Sequence, residues 1–190
     1  MAGSSLEQLT EDAGKGAPSV QVRWRSFELR PAGAPPMPPE YRARIEASRP
    51  QLYAVARERY QRTMNPGPFG INSRVALVGE KFAESMGRGT DFHEAVMRAY
   101  WSDALDISDR AVLVDCAVAA GLDGALFAAA LDDPTYDRMV QADVDLARSY
   151  GLNGVPAMVF NDKYLVSGAQ PADVLRQVVE RIVQESTAGA

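Results

Sequence analysis

The sequence predicts an α/β protein in which a small β-sheet is interrupted by a long helical segment. Three observations predict this class. Residues 20–27 alternate apolar and polar side chains, which is typical of a strand with one buried face. Residues 40–150 have helical periodicity and no convincing strand. Near the C-terminus, two apolar runs flank Asn161-Asp162, which indicates a β-hairpin, and an amphipathic helix follows it.

The elements before the helical segment are short. Leu6 to Asp12 has the composition of a helix end, with Gly14 and Gly16 as its stop signal. The strand from Val20 to Phe27 comes next. Five prolines lie between Pro31 and Pro39, too many for a regular element, so this stretch is predicted to be an extended crossing.

Capping residues predict where the helices of the middle segment begin. After each of them, apolar residues recur at spacings of three and four, so that each helix has one face to bury. The predicted start residues are Pro50, Asn72 or Ser73, Thr90, Ser108, Asp123 and Asp133, the last followed by Pro134.

Composition and charge exclude several classes of function. The chain of 190 residues suits one domain, and acidic and basic residues are interspersed around a net charge of −5. We therefore expect no nucleic-acid or membrane partner, since no run is apolar enough to span a bilayer. No secretory leader pattern is present near Met1, so a cytoplasmic protein is expected. The sequence indicates no oligomeric state.

The bend Gly154-Val155-Pro156 lies at the entrance of the hairpin. Proline fixes its own φ and has no N–H, so the bend is predicted to be rigid and to present bare backbone. A binding site can be built against such a bend. Alternatively, Gly154 and Pro156 only steer the chain from a helix into a strand.

Several motifs together resemble DsbA-type proteins with a thioredoxin fold, and in particular their FrnE-like branch, the polyketide-biosynthesis dithiol-disulfide isomerases. The resemblance covers residues 6 to about 183. The motifs are Trp24 to Pro31, Asn72-Ser73-Arg74, Phe92 to Trp101, Asp106 to Asp109, Ala120 to Asp123, Gly154 to Pro156 and Ser167 to Pro171.

The resemblance implies a thioredoxin-like fold with a large all-helical insertion. It implies one DsbA-like domain over residues 1–185, in which 1–31 and 151–185 form the thioredoxin core, 40–150 form the insertion and 186–190 are a tail. In this family the proline corresponding to Pro156 packs against a redox-active Cys-x-x-C motif. The substrate-binding residues implied here are Gly154, Val155, Pro156 and Phe27, and the implied partners are protein or peptide thiols and disulfides. No metal or cofactor is implied.

The cysteine count conflicts with the family's chemistry. The chain has one cysteine, Cys116, and a single thiol cannot form an intramolecular disulfide. No catalytic residue is therefore assigned. Relatives place a strand and Cys-x-x-C before the helix that Leu6 to Leu9 resembles, so we expect an N-terminally incomplete fold that lacks about twenty residues of a βα unit.

Cysteine, histidine and serine are three residue types that could supply a nucleophile, a base or a metal ligand. Cys116 follows Val112 by four residues in an apolar stretch and is predicted to be a buried core thiol. His93 is the only histidine and is predicted to be a surface residue, which argues against zinc. Ser4 or Ser5 could resemble the serine that replaces the nucleophilic cysteine in kappa-class glutathione transferases and hydroxychromene-carboxylate isomerases, although the spacing does not match easily.

Three hypotheses of function follow. The first is a FrnE-like thiol-disulfide oxidoreductase or isomerase whose catalytic dithiol is absent from this chain. The second is a redox-inactive module that binds peptides or a protein partner through the same groove. The third is a glutathione-dependent transferase or isomerase of the same fold, with glutathione as its partner.

Overall fold

A computed structural model of the chain describes residues 2–13 and 17–188. The predicted helix stop at Gly14 and Gly16 lies outside these residues. The helices are α1 (Ala2–Ala13), α2 (Pro39–Tyr60), α3 (Arg74–Ser85), α4 (Gly89–Trp101), α5 (Arg110–Ala119), α6 (Gly124–Ala130), α7 (Pro134–Ser149) and α8 (Ala172–Ala188), and the strands are β1 (Ala157–Phe160) and β2 (Tyr164–Ser167).

The chain divides into two units. Residues 1–24 and 151–190 form one of them, here called the hairpin unit, and residues 25–150 form the other, here called the helical unit. The helix α8 continues through residues 186–188, where the sequence predicted a tail. None of the described helices is both long and apolar enough to cross a bilayer.

In the hairpin unit, the predicted β-hairpin is confirmed. β1 and β2 pair antiparallel from Ala157 opposite Ser167 to Phe160 opposite Tyr164. Asn161 and Asp162 have φ of 47° and 53°, a left-handed pair that matches the twist of the two strands and that Asn and Asp tolerate. The sequence therefore specifies this turn directly.

Glu185 of α8 ties that helix to the hairpin. Its carboxylate accepts hydrogen bonds from the Lys163 ammonium at 2.8 Å, from the Tyr164 hydroxyl, and from the Arg181 guanidinium at 3.1 Å. These three donors, Lys163 foremost, lower the pKa of Glu185 to about 2. At the other end of the unit, the Arg176 guanidinium of α8 donates to Asp12 of α1 at 2.8 Å, beside the buried Leu9 and Leu175.

The prediction of a β-strand from Val20 to Phe27 is wrong. The side chains of Val20 and Val22 are half-buried and those of Gln21 and Arg23 are exposed, so the predicted alternation of burial is present. However, residues 17–28 lie in no β-ladder, and the sheet of the described residues has two strands only. The alternation of apolar and polar residues determines which face of the segment is buried. A β-strand also needs a neighbouring strand to pair with its backbone N–H and C=O groups.

Helix α3 is the centre of the helical unit and contacts α4, α5, α6 and α7. Its Gly79 lets aromatic rings approach closely, since a Cβ atom there would lie 2.6 Å from Phe127 Cζ and 3.2 Å from Phe92 Cζ. The rings of Phe92 and Phe127 lie 5.1 Å apart, and both side chains are fully buried. The packing of the helical unit therefore requires glycine, which has no side chain, at position 79.

Several predicted helix starts need correction. Pro50 lies inside α2 and not at its start. The helix begins at Pro39, where the missing N–H of proline costs no hydrogen bond. This long, exposed helix tolerates the one interruption that Pro50 introduces. Helix α4 begins at Gly89, one residue before Thr90. Asp109, rather than Ser108, accepts the hydrogen bond from Ala111 N–H that caps α5.

Three other predicted starts are confirmed by their capping hydrogen bonds. Helix α3 has Ser73 as its N-cap position, and the side-chain oxygen Oδ1 of the preceding Asn72 accepts from Arg74 N–H at 2.7 Å. Asp123 caps α6 by accepting from Ala125 N–H, and Asp133 caps α7 by accepting from Thr135 N–H. Each removes an unpaired donor from the first turn of its helix.

The segment after residue 24 is held onto α3 and α7 by buried charges. The Asp143 carboxylate of α7 is 5% exposed and accepts from Lys81 Nζ of α3 at 2.7 Å, from Arg25 at 2.9 Å and from Ser26 N–H at 3.0 Å. Lys81 is 3% exposed and also contacts Glu84 at 2.9 Å. Five charged or polar groups thus share one site, and none of the charges is buried alone.

A second ionic contact holds the same segment two residues further on. The Arg74 guanidinium of α3 donates to Glu28 at 2.8 Å and to Asp137 of α7 at 2.7 Å. Hydrogen bonds to Asp137 and Glu28 raise the pKa of Arg74 and keep it charged. Residues 25–28 therefore follow the line along which α3 and α7 meet.

We expect Gly79→Ala to destabilise the helical unit by about 1–3 kcal/mol, because the added methyl group would overpack the ring of Phe127. Urea unfolding followed by circular dichroism measures this loss. Gly3→Ala in α1 is the control, since a Cβ atom there meets no atom within 4 Å. Equal stability of the Gly79→Ala variant and the parent would contradict the packing described above.

We expect Asp143→Asn to cost about 3–5 kcal/mol of unfolding free energy, because it leaves the buried Lys81 ammonium short of its closest counter-charge. Asp145→Asn on the same helix is the matched control. Asp145 is exposed and its ion-pair partner Arg148 is exposed too, so its loss should cost at most about 1 kcal/mol. Similar losses of unfolding free energy in the two variants would show that the buried ion pair contributes no more than an exposed one.

The same contacts predict a pH dependence. Burial raises the pKa of Asp143, but the hydrogen bonds from Lys81, Ser26 N–H and Arg25 outweigh it, so that the pKa is lowered overall. A lowered carboxyl pKa stabilises the fold above the unfolded value of about 3.9 and ceases to do so as the pH falls through the folded value. The stability difference between the parent and Asp143→Asn should therefore stay constant above about pH 5 and shrink as the pH falls below about 4. A constant difference would contradict this assignment.

Candidate functional site

The bend that precedes β1 is built from Gly154, Val155 and Pro156. The Val155–Pro156 peptide bond is cis. The Pro156 carbonyl accepts a hydrogen bond from Gly168 N–H at 2.8 Å, which fastens the bend to the residue that follows β2. A Cβ atom at Gly154 would meet nothing within 4 Å, so the approach to the bend is open.

Val155 presents both its side chain and its backbone. Val155 is 51% exposed. Within the described residues, neither the N–H nor the C=O of Val155 makes a hydrogen bond. A backbone donor and acceptor left open on one residue are the two groups that pair with an extended peptide.

The structure brings together three of the four residues predicted for substrate binding. Gly154, Val155 and Pro156 are consecutive in the hairpin unit, whereas the half-buried Phe27 belongs to the helical unit. The inclusion of Phe27 in the same site stays a prediction. Sequence reasoning overlooked Gly168, whose N–H fastens the bend to the end of β2, because this contact depends on the register of the hairpin.

Cys116 is confirmed as a core thiol. It lies in α5 at 7% exposure, within the apolar core of the helical unit. Burial raises its pKa; the charge of Arg98 opposes this effect, and smaller contributions from Asp115 and Asp103 raise the pKa further. The thiolate, which is the nucleophilic form, is therefore disfavoured at neutral pH.

The predictions for His93 and the serines have different outcomes. His93 is not a surface residue: its side chain is 21% exposed, and Nδ1 lies 3.0 Å from Glu80 Oε1 because α4 packs its face against α3. Ser5 is buried in α1, next to the half-buried Ser4. No three metal-binding side chains come together in the part of the chain that the structure describes.

The hairpin with its flanking helices α1 and α8, together with the helical unit inserted between them, defines a thioredoxin-fold protein with a helical insertion. The model of the DSBA-like thioredoxin domain matches residues 1–180. The chain belongs to this family, which confirms the predicted resemblance to DsbA-type proteins and the predicted fold class.

Individual relatives agree with the family. The chain is similar to a probable DsbA oxidoreductase from Streptomyces coelicolor, at 30% identity and a TM-score of 0.78, with 96% of this chain and 85% of that chain covered. It is 28% identical over 176 residues to YwbO, an uncharacterized protein of Bacillus subtilis, covering 89% of this chain and 85% of that protein.

A third relative shows the fold alone. The structure of a 2-hydroxychromene-2-carboxylate isomerase aligns with a TM-score of 0.79 at 17% identity, covering 100% of this chain and 92% of that chain. At this identity the likeness concerns backbone architecture, because the same fold carries different chemistries.

We expect residues 1–190 to show no catalysis of insulin reduction by dithiothreitol, because their one thiol is buried and protonated. A turbidity assay measures this rate, and the Cys116→Ser variant should give an identical trace. The Cys116 thiol should react with a disulfide reagent such as DTNB only after the protein is unfolded. Turnover that the Cys116→Ser variant loses would overturn the assignment of Cys116 as a core thiol.

Proposed function

We propose that this chain carries the polypeptide-binding bend of a FrnE-like thiol-disulfide oxidoreductase or isomerase, and that on its own it binds substrate without exchanging disulfides. The substrates are protein or peptide thiols and disulfides in an extended conformation. The FrnE-like resemblance extends the proposal to a cytoplasmic location. In the intact reaction, a thiolate attacks the substrate disulfide, a mixed disulfide forms, and a second cysteine displaces the substrate thiol.

One observation carries this proposal, namely the open backbone of Val155 beside Pro156. The resemblance implies that this bend corresponds to the substrate-binding bend of DsbA-type proteins. The N–H and C=O of Val155 are without protein partners in the described chain. Proline fixes the backbone next to it, so little conformational entropy is lost when a peptide pairs with Val155. Binding of this kind requires no thiol in the chain.

The single cysteine favours a second candidate function, a redox-inactive module that binds peptides or a partner through the same bend. Both candidates require binding at Val155 and differ only in the presence of a dithiol in the native protein. Intact-mass analysis and N-terminal sequencing of the protein from its source cell separate them. A native product that contains Cys-x-x-C supports the oxidoreductase, and a product with Cys116 alone supports the redox-inactive module.

The glutathione-dependent alternative makes its own prediction. Glutathione is a short peptide, and its backbone can pair with Val155 in the same way as a longer substrate. Titration calorimetry of residues 1–190 with reduced glutathione tests this, and the absence of a binding isotherm would remove the transferase and isomerase alternatives.

We expect Pro156→Ala to weaken peptide binding roughly tenfold, because the bend loses the ring that holds it in a binding conformation. The probe is the blocked, uncharged peptide acetyl-Thr-Val-Thr-Val-Thr-Val-amide, and binding is followed by NMR shifts at the Val155 amide. Pro171→Ala is the matched control, because Pro171 lies in the same unit and precedes α8 rather than the bend. Equal affinities of the two variants would refute a role for the bend.

A further inference from the structure

Three elements of the helical unit bring a cation and two phenol groups together, in what we call the Arg49 cluster. Helix α2 contributes Arg49 and Tyr53, the loop before α3 contributes Phe69, and α4 contributes Tyr100. Tyr53 follows Arg49 by four residues, so both lie on one face of α2. All members of the cluster are half-buried, which leaves the cluster partly accessible to solvent.

Arg49 is a cation without a counter-charge in the described chain. Its guanidinium carbon lies 5.2 Å from the centre of the Phe69 ring, and the group makes neither an ion pair nor a hydrogen bond with a described residue. By contrast, Arg42 lies over the same ring at 5.6 Å and pairs with Glu46 at 2.9 Å. A guanidinium group is always charged and presents a planar fork of N–H donors. Arg49 therefore has both its charge and its donors available for an anion.

The hydroxyl of Tyr53 is buried, and no described residue is its hydrogen-bond partner. Native proteins pair nearly all of their buried polar atoms, because an unpaired buried hydroxyl destabilises the fold. A tyrosine hydroxyl that is retained in this state therefore needs an explanation, and a phenylalanine of the same shape would avoid the cost. Its position one turn from the unpaired Arg49 supplies a reason, since both groups can donate to the same anion.

Tyr100 supplies a second phenol hydroxyl that is only weakly engaged. It donates to the Pro68 carbonyl at 3.4 Å, which is long for a bond between a hydroxyl and a carbonyl. Burial raises the pKa of Tyr100, the charge of Arg49 opposes this effect, and Tyr53 and Asp106 raise the pKa further. The hydroxyl therefore stays protonated at neutral pH and remains a donor.

The carboxylates near the cluster are engaged elsewhere. Asp106 accepts hydrogen bonds from the N–H of Ser108 at 2.8 Å and from its hydroxyl at 2.6 Å. Glu46 pairs with Arg42. The cluster thus keeps one uncompensated positive charge, that of Arg49, together with its two phenol donors.

We propose that Arg49, Tyr53 and Tyr100 bind the carboxylate of a small organic acid with an apolar body. A single positive charge suits a monovalent anion, and the planar guanidinium fork matches the two oxygens of a carboxylate. The Phe69 ring lies beside the guanidinium, and the Trp101 ring lies 4.8 Å from that of Tyr100, so aromatic surface adjoins the donors. This site belongs to the helical unit and does not depend on peptide binding at Val155.

Titration of residues 1–190 with benzoate tests the proposal, followed by NMR at the Arg49 side-chain Nε–H. We expect saturable shifts of this signal and of the Phe69 amide. Benzamide has the same ring without the charge and should give no shifts. Inorganic phosphate at the same ionic strength should bind about tenfold more weakly or less, because it lacks an apolar body and is not planar. Equal binding of phosphate and benzoate would overturn the assignment of an organic acid.

Tyr53→Phe separates a binding role of the hydroxyl from a structural one. Because the hydroxyl has no partner in the free protein, its removal should leave the urea midpoint of unfolding unchanged or raise it. The same variant should bind benzoate about tenfold more weakly, since a hydrogen bond to a charged group is lost. A lower urea midpoint with unchanged benzoate affinity would show that the hydroxyl stabilises the free protein, and would overturn the proposal.

Arg49→Gln removes the charge of the cluster and should reduce benzoate affinity by about tenfold or more. Arg44→Gln is the matched control, since Arg44 lies on the same helix, is exposed and stacks on the Tyr41 ring at 5.0 Å. This control should bind benzoate as the parent does. Equal affinities of the two arginine variants, or benzoate shifts confined to residues outside the cluster, would contradict the proposed site.

Discussion

The helical unit depends on the charge pair between Asp143 and Lys81. Each of these side chains would be costly to bury alone, and each is accepted in the interior because the other lies 2.7 Å away. Asp143 also receives the Ser26 N–H and the Arg25 guanidinium, so the pair that joins α7 to α3 also fixes the chain where it enters the unit. Apolar packing around Gly79 stabilises α3 but is not directional. The hydrogen bonds of Asp143 are directional, and they set the position of residues 25–28 against α3.

Under the proposed function, binding and redox chemistry require different groups of the chain. The bend of the hairpin unit offers an unbonded donor and acceptor at Val155, while the only thiol of the chain is buried in the other unit with a raised pKa. Strand-like pairing with a peptide uses backbone groups, which any residue supplies, and exchange of disulfides requires a thiolate at a specific place. This distribution of groups is the physical basis of the proposal that the chain binds an extended polypeptide without exchanging disulfides itself.

Local chemistry explains which elements the sequence predicted correctly. Asn161-Asp162 determines the hairpin turn, and Asp123 and Asp133 cap their helices, because each acts within three residues of itself. The strand at residues 20–27 failed because a ladder needs a partner distant in sequence, which alternation cannot supply. The contact between His93 and Glu80 was missed for a related reason, since it depends on how α3 packs against α4.

The candidate site was predictable in part for the same physical reason. Proline and glycine at 154–156 marked the bend, since their effect on the backbone is local. The attachment of the bend to β2 could be recognised only after the register was known, because a shift of one residue would exchange the roles of Ala157 and Met158. The bond from Gly168 N–H to the Pro156 carbonyl sets that register at the bend itself. Pro156 therefore rigidifies the bend and also anchors the pairing of β1 with β2.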